Sequence, residues 1–167
     1  MRTLAPLLLL LALAGCSSKR AEPVHTPPPS SPAAAQSLGL ELAVDGKDAV
    51  VTLRNRGDRP LRLVSHVWAG INHYDWIRLT LVGPGPGGAT RVLHLLEDRD
   101  ESGTVYQDLA PGATLTHRID VVWWATRSRG AALAPGLYQL SASYEVDARE
   151  GVWTGKLAAG PVTYTVL

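Results

Sequence analysis

The sequence predicts an all-β protein whose folded part is built from antiparallel sheets. Apolar and polar residues alternate along most of the chain after residue 37, and no segment carries convincing helical periodicity. Turn-forming residues recur roughly every 8–15 residues, so about nine short strands are expected, which is typical of an antiparallel sandwich or barrel. Because charged and hydroxyl residues occupy the alternate positions, each sheet should have one face in water.

The first strands follow from this alternation and from the turns between them. Asp45-Gly46 and the segment 55–58 (Asn-Arg-Gly-Asp) are turn signals, and Pro60 opens the third strand. The strand from Ile77 to Leu81 ends at the loop 83–88, because Pro and Gly both oppose a central strand. A further short strand is expected from Val92 to Leu96. The apolar positions in this half are Leu38, Leu40, Leu42, Val44, Ala49, Val51, Leu53, Leu61, Leu63, Val67, Ile77, Leu79 and Leu81.

The second half continues the same pattern. A strand beginning near Ala113 places Leu115, Ile119 and Val121 on one face, and His117 shares that face as a core histidine. This strand is expected to end at Trp123-Trp124, with Trp123 on the apolar face and Trp124 facing outward, because adjacent strand residues face opposite sides. The remaining strands have Tyr138, Leu140, Ala142, Tyr144 and Val146, then Trp153 to Leu157, then Val162, Tyr164 and Val166.

Two short motifs point to a family of folds. The segment Leu133-Ala134-Pro135-Gly136-Leu137-Tyr138 resembles the tyrosine corner of immunoglobulin-like and fibronectin type III-like sandwiches, in which a Tyr bonds back to the backbone. The segment 51–61 is similar to a hairpin of the same domains. The resemblance implies an antiparallel immunoglobulin-like sandwich of about nine strands over residues 38–167. The inter-sheet disulfide of antibody domains is missing, so a true antibody-type domain is excluded.

The amino-terminal end has the features of an export signal. Arg2 is followed by an apolar run from Leu4 to Leu13, which is too short to span a bilayer, and then by Ala14-Gly15-Cys16. This sequence resembles the lipobox of bacterial lipoproteins, which implies removal of residues 1–15 and lipid on the sulfur and the new amino terminus of Cys16. Ser17, where an aspartate would favour the inner membrane, favours the outer membrane. The alternative is an ordinary secretory signal.

Residues 16–37 are expected to be a tether between the lipidated Cys16 and the folded domain. They are rich in Pro, Ser and Ala, a composition that cannot bury enough apolar surface to offset chain entropy. In an extended polyproline conformation the tether could reach about 65 Å. We therefore expect a globular head, residues 38–167, held away from a membrane and facing the periplasm or the cell surface.

Charge and chemistry exclude several function classes. The chain has 16 Lys and Arg and 15 Asp and Glu, and removal of the signal takes away only Arg2, so nucleic acid is not an expected partner. No catalytic constellation or cofactor motif is present, so we expect neither an enzyme nor a cofactor. The histidines have no ligand spacing, and no metal site is expected. Asp98 to Gly103 resembles the opening of a calcium loop, although a solvated acidic turn (97–101) is the simpler interpretation.

Aromatic residues are the best candidates for a binding role. Trp68, Tyr74 and Trp76 lie close together in the sequence, and Trp124 is expected on the outer face of its strand. Exposed Trp residues anchor protein interfaces or stack on sugar rings, although core filling is the alternative for Trp76 and Trp124. We therefore expect a non-catalytic module that binds another envelope protein. The alternatives are a protease inhibitor, because 85–88 faintly resembles the glycine-rich loop of chagasin-like inhibitors, or a carbohydrate- or peptidoglycan-binding module.

Overall fold

The computed structural model describes residues 37–68, 72–73, 76–84, 88–93, 103–128 and 132–167, with only the backbone of residues 68, 72 and 73. Residues 1–36, which include the expected signal peptide, Cys16 and most of the expected tether, lie outside the described residues. So do Tyr74, the central part of the loop 83–88 and the acidic segment 97–101.

The described residues form antiparallel sheets with one short helix, which confirms the all-β prediction. The elements are β1 (Leu38–Asp45), β2 (Asp48–Asn55), β3 (Leu61–Trp68), β4 (Asn72–His73), β5 (Ile77–Val82), β6 (Thr90–Leu93), β7 (Gly103–Leu109), β8 (Thr114–Asp120), α1 (Val121–Arg127), β9 (Gly136–Val146) and β10 (Gly155–Val166). They form three sheets, with strand orders β1-β2-β8, β10-β9-β5-β6 and β4-β3-β7. Thus ten strands are described where about nine were predicted.

A single core joins the three sheets. The predicted apolar faces of β2, β5 and β9 are buried throughout, because their period-two pattern matches the pleat of strands that carry one face inward. Two tyrosine hydroxyls connect separate parts of the molecule: Tyr144 Oη donates to the carbonyl of Val64 on β3 at 2.8 Å. Tyr164 Oη donates to the carbonyl of Lys47 in the β1–β2 turn at 3.1 Å.

The prediction that β8 continues to Trp123-Trp124 with Trp124 facing outward is wrong. The strand ends at Asp120, whose carboxylate accepts a hydrogen bond from Trp123 N–H at 2.9 Å and caps helix α1. On a helix, residues three and four apart share a face, so Val121, Trp124 and Ala125 all enter the core. Trp124 is 2% exposed, and Trp123 is half-buried with the guanidinium of Arg127 over its ring at 5.3 Å.

Strands β4 and β7 are the elements that the alternation did not predict. Strand β7 pairs with β3, and the register shifts between Val64 and His66. Both faces of β3 are covered, since Leu63, Val64 and Ser65 are all buried in succession. Strand β4 has 2 residues and β7 buries only Leu109, so neither strand carries the apolar alternation on which the prediction depended.

Tyr138 makes the bond to the backbone that its motif implies. Its hydroxyl donates to the carbonyl of Ala134 at 2.8 Å, and the phenol ring is buried near the end of β5. Gly83 fits here because a Cβ at that position would lie 1.9 Å from a Tyr138 ring carbon. This contact fixes the loop before β9 against the end of β5.

Asn55 joins the turn after β2 to the end of β7. The side chain is fully buried, and its Nδ2 donates to the carbonyls of Arg59 at 2.8 Å and Leu109 at 2.9 Å. Its Oδ1 accepts from the N–H of Gly57 at 2.9 Å. Both donor hydrogens of the amide are therefore used, as expected for a buried polar group.

Candidate functional site

Two arginines and two aromatic residues meet on one surface of the domain. The guanidinium of Arg62 lies 5.1 Å from the ring centroid of Tyr106, and that of Arg149 lies 5.7 Å from the ring centroid of Trp76. Arg149 Nη1 also donates to Tyr106 Oη at 3.3 Å, which joins the two pairs. We call Arg62, Tyr106, Trp76 and Arg149 the arginine–aromatic patch. Three of its four residues are exposed, and Trp76 is half-buried.

Backbone hydrogen bonds position two members of the patch, Arg62 and Trp76. Arg62 lies on β3, and its carbonyl accepts a hydrogen bond from Trp153 N–H at 2.8 Å. Trp76 lies just before β5, and its carbonyl accepts from Glu145 N–H on β9 at 3.0 Å. Arg149 belongs to the loop between β9 and β10. Thus the patch is built where β3, β7, the residue before β5 and the β9–β10 loop come together, rather than on one continuous segment.

Buried aromatic residues support the patch from below. The rings of Tyr144 and Trp153 are stacked, with their centroids 5.5 Å apart, and both side chains are buried. Burial raises the pKa of Tyr144 well above its ordinary value, so the hydroxyl that bonds to Val64 stays protonated. Trp153 is 4% exposed and is part of the core. Trp76 packs against the core cluster that contains both residues.

The aromatic residues singled out from the sequence separate into different places. Trp76 is in the patch, whereas Trp124 lies on the buried face of helix α1 and cannot contact a partner. Tyr74 and the side chain of Trp68 lie outside the described residues. The four tentative binding residues therefore do not meet as a group in the described part of the chain.

The patch contains three residues that the sequence reasoning did not select: Arg62, Tyr106 and Arg149. Tyr106 follows Thr104 and Val105, a short run of residues with high β-propensity before the turn at Pro111-Gly112, so a strand with an exposed Tyr could have been predicted there. No sequence pattern could have placed Arg149 against Trp76, because that contact depends on how the β9–β10 loop folds back.

A third arginine–aromatic pair lies on helix α1, where the Arg127 guanidinium covers the Trp123 ring. The helix is fixed at its start by Asp120, whose Oδ2 lies 2.6 Å from Lys47 Nζ. Burial acts to raise the pKa of Asp120, but the hydrogen bonds from Lys47 and from Trp123 N–H outweigh it and lower that pKa. The same ion pair raises the pKa of Lys47.

The titratable groups of the described residues do not assemble a metal site. No group of three or more His, Cys, Asp or Glu that could hold a metal ion occurs among the described residues. His117 is buried on β8, as predicted, and burial, with a smaller contribution from His66, lowers its pKa to about 4. A buried neutral histidine of this kind belongs to the core.

An open polar hollow of about 520 Å³ lies beside the entry of the chain into β1. It is lined by Glu41, Arg54, Asn55, Arg56, Gly57 and Gly112. Arg56 and Glu41 pair with each other at 3.3 Å, and the amide of Asn55 bonds to the protein itself. The hollow therefore offers fewer groups for a ligand than its lining suggests.

No protein-family model and no curated protein matches this chain. Helix α1, with 7 residues, is the one helix in the described part of the chain, and none there reaches the length and apolarity needed to cross a bilayer.

Proposed function

We propose that this chain is a lipid-anchored lipoprotein of the bacterial cell envelope, and that its immunoglobulin-like domain is a non-catalytic protein-binding module. The lipid anchor is inferred from the apolar run and Ala14-Gly15-Cys16, with Ser17 favouring the outer membrane. A tether of Pro, Ser and Ala then holds the domain away from the membrane surface.

The strand order supports the immunoglobulin-like assignment. In immunoglobulin domains one sheet contains strands A, B and E, and the other contains G, F and C with an added C′ in variable-type domains. The orders β1-β2-β8 and β10-β9-β5-β6 correspond to these two sheets. Tyr138 lies near the start of β9, which is the position of strand F, and bonds back to Ala134 as a tyrosine corner does. Strands β3, β4 and β7 are an addition to that arrangement.

The observation that carries the binding proposal is the arginine–aromatic patch. Trp, Tyr and Arg are the residues most enriched at the energetic centres of protein interfaces. Four of them lie together here, and Tyr106 remains 38% exposed. Arg62 and Arg149 cover ring faces of Tyr106 and Trp76, faces that a sugar ring would need for stacking. The patch therefore favours a protein partner over a carbohydrate.

Affinity capture from detergent-solubilised cell envelopes tests this proposal. The full-length chain should retain an envelope protein, and the double variant Tyr106→Ala/Arg149→Ala should lose it, because the variant removes the contacts that join the two pairs. The matched control is Trp123→Ala/Arg127→Ala, which removes the arginine–aromatic pair on helix α1 and should leave capture unchanged. Equal recovery by the patch variant and the wild type would refute the role of the patch.

Mass spectrometry of the cell-derived protein tests the anchor separately. The expected mature chain begins at Cys16 and carries acyl chains, while Cys16→Ser should leave the chain unacylated and released from the membrane fraction. An unacylated wild-type chain that still contains residues 1–15 would contradict the lipoprotein assignment without affecting the patch.

A further inference from the structure

Within the part of the chain that the structure describes, one edge of β7 carries no backbone pairing, and its orientation follows from two hydrogen bonds on β3. The carbonyls of Arg62 and Val64 accept from Trp153 N–H and Tyr144 Oη, on the side of β3 away from β7. In an antiparallel strand the N–H and C=O of one residue point to the same side. The backbone groups of Arg62 and Val64 therefore do not take part in pairing with β7.

The pairing register of β3 and β7 shows which backbone groups of β7 point away from β3. Arg62 is opposite Asp108, and Val64 is opposite Tyr106, so these are the non-hydrogen-bonded pairs of the ladder. Asp108 and Tyr106 must then direct their N–H and C=O groups away from β3, and so must Thr104, two residues earlier. Among the described residues, no backbone hydrogen bond outside the β3–β7 ladder involves residues 103–108.

This edge lacks the features that protect sheet edges in soluble proteins. Such edges are usually short or carry Pro, bulges or charged residues, especially Lys. Strands β4 and β6 have 2 and 4 residues. Strand β10 contains Pro161 and a register shift, β8 carries Arg118, and β1 carries Glu41 and Asp45. Strand β7 has 7 residues, neither Pro nor a basic residue, and a single acidic residue, Asp108.

We propose that β7 pairs with β7 of a second copy of this chain, as an antiparallel dimer with its two-fold axis at Tyr106. Tyr106 is the central residue of the strand Gly103–Leu109, so this register uses all seven of its residues. Tyr106 would exchange two backbone hydrogen bonds with its counterpart, and each Thr104 would exchange two with Asp108 of the other copy. The dimer would extend the sheet β4-β3-β7 to six strands.

The side chains of β7 suit this pairing. Each Asp108 carboxylate would lie beside a Thr104 hydroxyl, so no like charges face each other. On the opposite face, Val105 would lie beside Gln107 of the other copy. Paired residues on antiparallel strands lie on the same face, so the two Tyr106 side chains would be neighbours. The two arginine–aromatic patches would then form one continuous surface. The dimer goes beyond the binding role and does not depend on it.

Cysteine cross-linking tests the register. In a Cys16→Ser background of the full chain, Tyr106→Cys should form an intermolecular disulfide under mild oxidation, because hydrogen-bonded partners lie about 5.5 Å apart between Cα atoms. Gln107→Cys is the matched control: its counterpart in the dimer is Val105, so it should cross-link far more slowly. Equal cross-linking of the two variants would overturn the proposed register.

Proline substitution tests the edge itself. Thr104→Pro and Asp108→Pro remove outward N–H groups and leave the β3–β7 ladder intact, so the circular dichroism spectrum and the melting temperature should match the wild type. Their dimer dissociation constants, from sedimentation velocity in Cys16→Ser protein, should rise about tenfold or more. Thr104→Ala should dimerise normally. A wild-type chain that stays monomeric up to millimolar concentration would overturn the proposal and leave the edge to a strand of another protein. Loss of capture by the patch variant would be unaffected by that result.

Discussion

Replacement of the buried Asn55 by Asp should destabilise the domain far more than its small change in shape suggests. The substitution exchanges the amide nitrogen for an oxygen of similar size. That nitrogen donates to the carbonyls of Arg59 and Leu109 at 2.8 and 2.9 Å, so two acceptors would face a third acceptor. Loss of the two hydrogen bonds alone costs about 1 kcal/mol each.

The introduced carboxylate adds a larger cost, because Asn55 is 0% exposed and no described basic side chain bonds to it. A buried carboxyl group becomes neutral instead, and raising its pKa from about 3.9 to above 7 costs about 4 kcal/mol at neutral pH. We therefore expect the variant to lose about 4 kcal/mol or more of unfolding free energy. That is a large part of the unfolding free energy of a typical domain, which is about 5–15 kcal/mol.

Urea unfolding at several pH values provides the measurement. The pKa of the new carboxyl would be higher in the folded state than in the unfolded state. The loss of unfolding free energy should therefore be largest at neutral pH and should shrink as the pH falls toward the unfolded-state pKa. Gln139→Glu makes the same amide-to-carboxylate change at an exposed position on β9 and should change stability by about 0.5 kcal/mol or less. If Asn55→Asp were no more destabilising than Gln139→Glu, the interpretation of Asn55 as a buried structural link would be wrong.

Three further predictions concern the core and helix α1. The pKa of His117 is lowered from 6.5 to about 4 in the folded state, so the unfolded chain binds protons first as the pH falls. Unfolding free energy should then fall by about 2 kcal/mol between pH 7 and pH 5, and His117→Leu should remove this slope in urea titrations. Asp120→Ala should lower the unfolding free energy by about 1 kcal/mol, measured by thermal denaturation, because helix α1 loses its N-cap. Lys47→Ala should lower it by less, and equal losses for the two variants would assign the effect to the ion pair. Trp124→Ala should lower the unfolding free energy by about 3–5 kcal/mol, and Trp123→Ala should lower it clearly less. The reverse order would contradict the burial of Trp124.

Local patterns were sufficient for most of the sheet structure. The alternation at Ala49, Val51 and Leu53, and again through β9, identified the inward faces correctly, because a half-buried strand must repeat with period two. Turn residues located the ends of these strands, and the Pro-Gly motif before Tyr138 indicated the hydroxyl bond to Ala134. Each of these features depends on residues that are close in the sequence.

The pattern failed where contacts distant in the sequence decided the structure. The composition of residues 121–125 is compatible with a strand. However, the Asp120 carboxylate accepts a hydrogen bond from Trp123 N–H and forms an ion pair with Lys47, and these contacts favour a helical turn. The two faces of Trp123 and Trp124 were exchanged for that reason. Strand β7 was missed because only Leu109 of its seven residues is buried, so no apolar alternation marks it.

Local patterns were enough to predict an all-β domain with alternating strands and a core without Phe or a disulfide, because strand period and turn chemistry are local properties. Which aromatic residues reach the surface together depended on the packing of distant segments. The arginine–aromatic patch joins β3, β7, the residue before β5 and the β9–β10 loop, and the free edge of β7 depends on the hydrogen bonds that β3 makes on its other side. Both arise from packing between segments that are far apart in the chain, which no local pattern encodes.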